Sequence, residues 1–352
     1  MPAFVSWILR SCFHFLIRMN CLLNNACQYV FCKFISAHNK KINESNETSS
    51  ELKGEPPEEW DNPKFGTHHF IRLKEVKLHY VTKGKDGDTL MLCIHGFPEC
   101  WFTWHHILEH FSNNYKVVAV DLRGFSLSDK PFGIESYRKD KIAEDIKQLI
   151  EALGYKDCVV IGQGVGSLYL WELVTEYPSL VKKMIFIQGS HPSALVQYMK
   201  ANWLQAFLLI PILFFHLPFL PELLYQSFSW KLLDLTFNGP TGLQTNLLTD
   251  QQLACYRYAF QQSGALTGAL NHYRSIFLSG KISTLFKITT PGLLIWGCKD
   301  PFLQVDLAKA SKKFVEDLTV KLIPQSGHWV VLDQPAMVHT HIEEFLNKLP
   351  TK

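Results

Sequence analysis

The stretch Val159–Leu173, "VVIGQGVGSLYLWEL", decides how this chain is read. Its first residues form a β-branched apolar run that suits a buried strand. Gly162, Gly164 and Gly166 then alternate, the pattern of a tight turn in which backbones approach closely. From Val165 onward the residues read as an apolar helix. A strand, a glycine-bracketed turn and a helix form the shape that lifts a catalytic nucleophile above a sheet. Yet the apex is Gly164, which has no side chain to attack with. Either the turn is a mere likeness, or a site has lost its reacting group.

The flanking sequence repeats the strand half of the pattern. "TLMLCIHGF" (Thr89–Phe97), "YKVVAVDLRGFSLSD" (Tyr115–Asp129), "VKKMIFIQG" (Val181–Gly189), "TTPGLLIWGCKD" (Thr289–Asp300) and "LTVKLIPQSGHW" (Leu318–Trp329) are apolar runs ending in loops. Helical stretches such as "RKDKIAEDIKQLIEALG" (Arg138–Gly154) lie between them. Continuous Val/Ile/Leu runs suit parallel strands covered on both faces. "HHFIRLKEVKLHYVTKG" (His68–Gly84) instead alternates, as a hairpin near a sheet edge would. The expected fold class is α/β: a mostly parallel, doubly wound sheet built from two pieces, residues 65–191 and 289–352.

Between those pieces, residues 192–288 are apolar and aromatic, and Pro211, Pro218 and Pro221 interrupt the run. The run Phe207–Leu220 is too short and too proline-rich for a spanning helix. An α-helical cap over an apolar pocket is expected instead. Thr249, ahead of Asp250 and Gln251, reads as a helix N-cap.

Residues 1–37 form an apolar N-terminal segment with only Arg10, Arg18 and Lys33 as fixed charges. The arginines break any uninterrupted apolar span. Membrane association is expected, through a poor span, an interfacial segment or acylated cysteines; a cleaved or disordered leader is the competing reading. The endoplasmic reticulum is the candidate compartment, with the side of the membrane open. Residues 38–64 are polar and read as a linker, with sequons at Asn43 and Asn46. Nine cysteines, four of them in the N-terminal segment, and no CxxC pair argue against a disulfide framework or a zinc site. No metal or cofactor is expected. The net charge of +3 gives no reason to expect nucleic acid as a partner.

Three strand ends align in chain order: the Gly164 turn, Asp300 and His328. Nucleophile, acid, histidine is the order of the α/β-hydrolase fold. "HGFPECWFTW", "DLRGFSLSDKP", "GSHP", "LTGALNHYR", "WGCKDPF" and "SGHWVVLDQP" together make the chain similar, from about Phe65 to its C-terminus, to the epoxide hydrolases. The apolar N-terminus resembles that of their membrane-anchored animal members. The resemblance implies an aspartate that opens an epoxide to an alkyl-enzyme ester. A histidine held by an acid then activates water to hydrolyse that ester. Cap tyrosines would donate to the epoxide oxygen. Residue by residue it assigns Asp300 as the orienting acid, His328 as the base and Tyr273 as a cap tyrosine. The amides of Phe97 and Val165 would form the oxyanion hole.

The departures fall at the reacting centre. Active members read like G-H-D-W-G where this chain reads G-Q-G-V-G, so Gly164 takes the nucleophile position. "IPILFF" (Ile210–Phe215), where the other cap tyrosine is expected, contains none, and Tyr198 is too far upstream to match. Ser167 and Ser126 are the nearest hydroxyls, and neither has the elbow position. Two readings follow. One is a pseudoenzyme that binds a lipophilic small molecule, an epoxide or other lipid, without turnover. The other is an active hydrolase in which His328 and Asp300 activate water with no covalent intermediate.

Overall fold

The computed structural model describes residues 55–227, 230–276, 278 and 287–348. The N-terminal segment, both sequons and the membrane attachment read from them lie outside the described residues. The described part is one eight-stranded sheet in the order β1-β2-β4-β3-β5-β6-β7-β8. β1 (Thr67–Arg72) and β2 (Lys77–Lys83) form the antiparallel edge hairpin expected from their alternation. β2 also runs antiparallel to β4. The pairs from β4 to β8 are all parallel.

Parallel strands need crossovers, and helices supply them on both faces. β3 (Leu90–Ile94) leads to α1 (His105–Phe111), and β4 (Lys116–Val120) to α2 (Lys139–Ala152). β5 (Cys158–Gln163) turns directly into α3 (Val165–Glu176), and β6 (Val181–Ile187) follows. β3 and β5 are buried at every position, which is why both read as continuous apolar runs. α2 buries Ile142, Ile146, Leu149 and Ile150, a stripe at helical spacing. Asp145 lies on the same face and is matched by the Arg123 guanidinium through two bonds of 2.6 and 2.7 Å.

Between β6 and β7 the chain makes a series of helices: α4 (Pro192–Ala201), α5 (Trp203–Leu208), α6 (Ile210–Phe214), α7 (Leu220–Ser227), α8 (Lys231–Asn238), α9 (Asp250–Gln261) and α10 (Ala265–Ser275). The Phe207–Leu220 run is thus divided between short helices, in keeping with its prolines. Among the described residues no helix is long and apolar enough to cross a membrane. Thr249 caps α9: Gln252 N–H donates to its hydroxyl oxygen at 3.2 Å, and its own N–H donates to Gln252 Oε1 at 3.0 Å. The sheet then resumes with β7 (Gly292–Gly297), α11 (Asp306–Ser311), β8 (Leu318–Ile323), α12 (Val330–Asp333) and α13 (Pro335–Leu346).

Within the polar stretch read as linker, residues 38–64, one side chain packs on the core, while Asp61, Pro63 and Lys64 are exposed. Trp60 is buried, with ring centroids 5.1 Å from Trp101 and 4.9 Å from Tyr258. A single indole anchors a segment whose composition is otherwise that of a linker.

Candidate active site

The carboxyl ends of β3, β5, β6 and β7 converge beneath the cap helices. At the end of β5, Gly164 has φ 54° and ψ −119°, a left-handed conformation that costs any other residue strain. Its N–H donates to Ile187 O on β6, 3.0 Å away. Gly166 is required for space, because a Cβ there would meet Ile94 O at 2.4 Å. Strand, turn and helix thus lock against β3 and β6 as an elbow, and only its apex side chain is absent.

His328 faces that apex. A Cβ built on Gly164 would lie 3.6 Å from His328 Nε2 and 3.8 Å from Gly96 Cα, ordinary contact distances. On the other side of the imidazole, Nδ1 meets Asp300 Oδ2 at 2.7 Å. Asp300 is itself clamped. Oδ1 accepts from the backbone amides of Phe302 and Leu303 at 2.6 and 3.0 Å, and Oδ2 accepts from Gln188 Nε2. Gln188 also accepts from Gly297 N–H at 2.7 Å, which ties β6 to β7 beneath the acid. Burial alone would lower the His328 pKa. The Asp300 charge and hydrogen bond, with help from Glu99, outweigh it, so the imidazole pKa is raised. His328 and Asp300 therefore meet, as the sequence order implied.

The loop after β3 brings in a group that the sequence reading passed over. Glu99 is buried; Gly96 N–H donates to its Oε2 at 2.5 Å, and Gln163 Nε2 donates to its Oε1. Burial pushes its carboxyl pKa up to about 7. Gln163, which flanks Gly164, is thus engaged with Glu99. The signal for it is the acidic residue that closes the "HGFPE" loop. Phe97 lies in this loop, and Val165 is the first residue of α3, whose leading amides have no intrahelical partner. Val165 directly follows the apex, and Phe97 follows Gly96, whose Cα lies 3.8 Å from a Cβ built on Gly164.

From the cap, the Tyr273 ring packs 5.5 Å from Phe97 and 5.2 Å from Phe215. Burial raises its phenol pKa, with Tyr225 and Glu99 adding to the effect. Tyr225, on α7, is another phenol near Phe97, one that the sequence reading did not single out. Its ring lies 6.3 Å from Phe97, and burial raises its pKa to about 12. Phe215, 5.2 Å from Phe97, fills part of the region where a tyrosine was expected. Tyr198 is elsewhere, with its hydroxyl donating to Gln304 Oε1 at 3.0 Å. Ser167 Oγ donates to Gly162 O at 2.7 Å, so it braces the elbow. Ser126 lies in the loop after β4, at φ 47°. Among the described residues, no group of three or more His, Cys, Asp or Glu is arranged to hold a metal ion.

Residues 89–335 match the family described as "alpha/beta hydrolase fold". The chain is 38% identical over 299 residues to the mouse protein named "Epoxide hydrolase 4", with 83% of each chain covered. It is 36% identical over 294 residues to "Epoxide hydrolase 1" of Caenorhabditis elegans, covering 83% of this chain and 71% of that one. Among solved structures, a Bacillus megaterium epoxide hydrolase in complex with an inhibitor is similar at a TM-score of 0.73 and 28% identity. That likeness covers 80% of this chain and 100% of the other.

Proposed function

The chain belongs to the epoxide hydrolase family of the α/β hydrolases, and we propose that it binds a lipophilic small molecule, an epoxide or another lipid, without covalent turnover. One observation carries this reading: the position in front of His328 Nε2 is faced by glycine, where the family's chemistry needs a carboxylate. Without that group no alkyl-enzyme ester forms, and the remaining residues make a receptor. Phe97, Phe215, Tyr225 and Tyr273 give it apolar walls with two phenol donors. The apolar N-terminal segment adds membrane attachment to this reading, with the endoplasmic reticulum as candidate site.

A second reading is favoured by the intact His328–Asp300 bond of 2.7 Å. His328 Nε2 takes a proton from water, and the hydroxide attacks an epoxide carbon. The carbon–oxygen bond of the ring breaks, and Tyr273 or Tyr225 donates a proton to the oxygen. Triad enzymes stripped of one member keep a residual acceleration of roughly 10³–10⁴-fold over water. The test must therefore compare two proteins rather than protein with buffer. Purified full-length protein and its His328→Ala variant are given a lipophilic aryl epoxide, and diol is measured. Equal, near-background diol from both is expected. Diol formed by the parent and abolished in His328→Ala would replace the receptor reading with the second one.

A further inference from the structure

The cap has its polarity reversed along one stretch. Nine of the fifteen exposed large hydrophobic residues in the described chain fall between Val196 and Leu223. Trp203, Phe207, Ile210, Leu213, Leu217 and Leu220 are each at least 40% exposed, with Trp203 at 77%. Three polar side chains of the same stretch point inward, while Gln197 and Lys200 are exposed. Gln205 is fully buried, with Nε2 donating to Phe302 O at 2.8 Å and Oε1 accepting from Gln304 N–H at 2.9 Å. His216 is buried, and its Nδ1 lies 3.1 Å from Ile212 O. Glu222 is buried in a two-bond pair with Arg274, at 2.8 and 3.0 Å. An element in water turns its apolar side to the core and its polar side out. This stretch does the opposite.

Charge narrows the occupant. From Val196 to Tyr225 the only charged residues are Lys200 and Glu222. Glu222 is inside, so the only charge of this stretch on its outer side is the exposed, positive Lys200. An apolar face with an exposed indole and a cation, made of short helices, matches the boundary of an anionic bilayer. Tryptophan favours the headgroup level, and lysine meets the lipid phosphates. A bilayer also accepts the uneven relief that Pro211, Pro218 and Pro221 give this face, which a self-complementary protein contact would have to match.

We propose that the outer face of α4–α7 docks onto an anionic lipid surface, with Trp203, Phe207, Ile210 and Leu213 entering the headgroup–acyl boundary. The docking is separate from any attachment through residues 1–37. It holds whether or not the pocket turns over substrate. Its inner side serves the pocket: Phe215, two residues from the exposed Leu213 and Leu217, packs 5.2 Å from both Phe97 and Tyr273. One thin layer of cap would thus have lipid on one side and the aromatic seam on the other.

The test uses the full-length chain with vesicles of phosphatidylcholine and phosphatidylserine, some carrying bromine on their acyl chains. Bromine quenches tryptophan only at close range. The difference in quenching between the parent and Trp203→Phe isolates Trp203 from Trp7 and the other indoles. Trp203 is expected to be quenched strongly, and Phe207→Ser with Leu213→Ser is expected to reduce that signal by about half or more. Equal quenching with and without Trp203 would confine lipid contact to the N-terminal segment and overturn the proposal. So would Trp203 already shielded from aqueous acrylamide without vesicles. Shielding that grows with protein concentration would mean a second copy covers the face; shielding at all concentrations would mean the chain's own N-terminal segment does. Trp203→Phe conserves an aromatic ring at a largely exposed position, and its melting curve checks that the comparison is between folded proteins.

Discussion

At Gly164 the backbone conformation and the missing side chain are two aspects of one position. A non-glycine residue at φ 54° carries strain of roughly 1–3 kcal/mol, which glycine does not. Space is no obstacle, since a Cβ there would find its nearest neighbours at 3.6 and 3.8 Å. Gly164→Asp is therefore expected to fold, with a melting temperature lower by several degrees in calorimetry. Its carboxylate would face His328, but Gln163 and Val165 remain changed beside it. Expected turnover is small, although single-turnover mass spectrometry should now trap an alkyl ester on residue 164. Strong steady-state turnover from this one change would mean that the surrounding groups never lost their function. The elbow, Asp300 and His328 were legible in sequence because each follows a strand in a fixed chain order. Glu99 was in plain view in "HGFPE", but its burial and its bond to Gln163 depend on how two strand ends meet. No local pattern encodes that.

Among the elements, the cap divides into what is local and what is not. The capping box Thr249–Gln252 could be read directly, because its partners are three residues apart. The arrangement of α7 against α10 could not. It depends on Arg274, which pairs with Glu222 through two bonds and also donates to the carbonyls of Phe215 and Leu217, each at 2.9 Å. One guanidinium thus fixes α7, which carries Tyr225, and the segment carrying Phe215, beside Tyr273. Tyr225 is three residues from Glu222 on the same helix, so it follows that pair to the pocket. Arg274→Met leaves Glu222 buried without its partner, at a cost of about 3–5 kcal/mol. Urea unfolding should show that loss. Hydrogen exchange should rise first across residues 215–227, while β5 and β7 stay protected. Arg274→Lys keeps the charge but not the fork geometry, and is expected to fall between the two. An equal rise in exchange throughout the sheet would refute the role of Arg274 as the tie of the cap alone.

At the scale of the whole molecule, the parallel sheet was legible from its uniform apolar runs, and the edge hairpin from its alternation. The aromatic seam between core and cap was not, because its residues are distant in sequence: Phe97 from a strand-end loop, Phe215, Tyr225 and Tyr273 from the cap. A ligand held in that seam touches core and cap together, so it stabilises the folded state against unfolding of either. At a free concentration of 100 times its dissociation constant, the gain is about 2.7 kcal/mol. A long-chain epoxide is therefore expected to raise the melting temperature of the parent and of His328→Ala alike. Phe215→Asp, which puts a charge among Phe97, Tyr225 and Tyr273, is expected to abolish the rise. Time separates binding from turnover in the same experiment. If the parent only binds, its raised melting temperature persists through hours of incubation, because the epoxide survives. If the His328–Asp300 pair hydrolyses the ligand, the shift changes with time in the parent as diol replaces epoxide, and stays constant in His328→Ala. A changing shift in the parent alone would end the receptor reading, and a constant one in both would leave His328 as a wall of the pocket rather than its base.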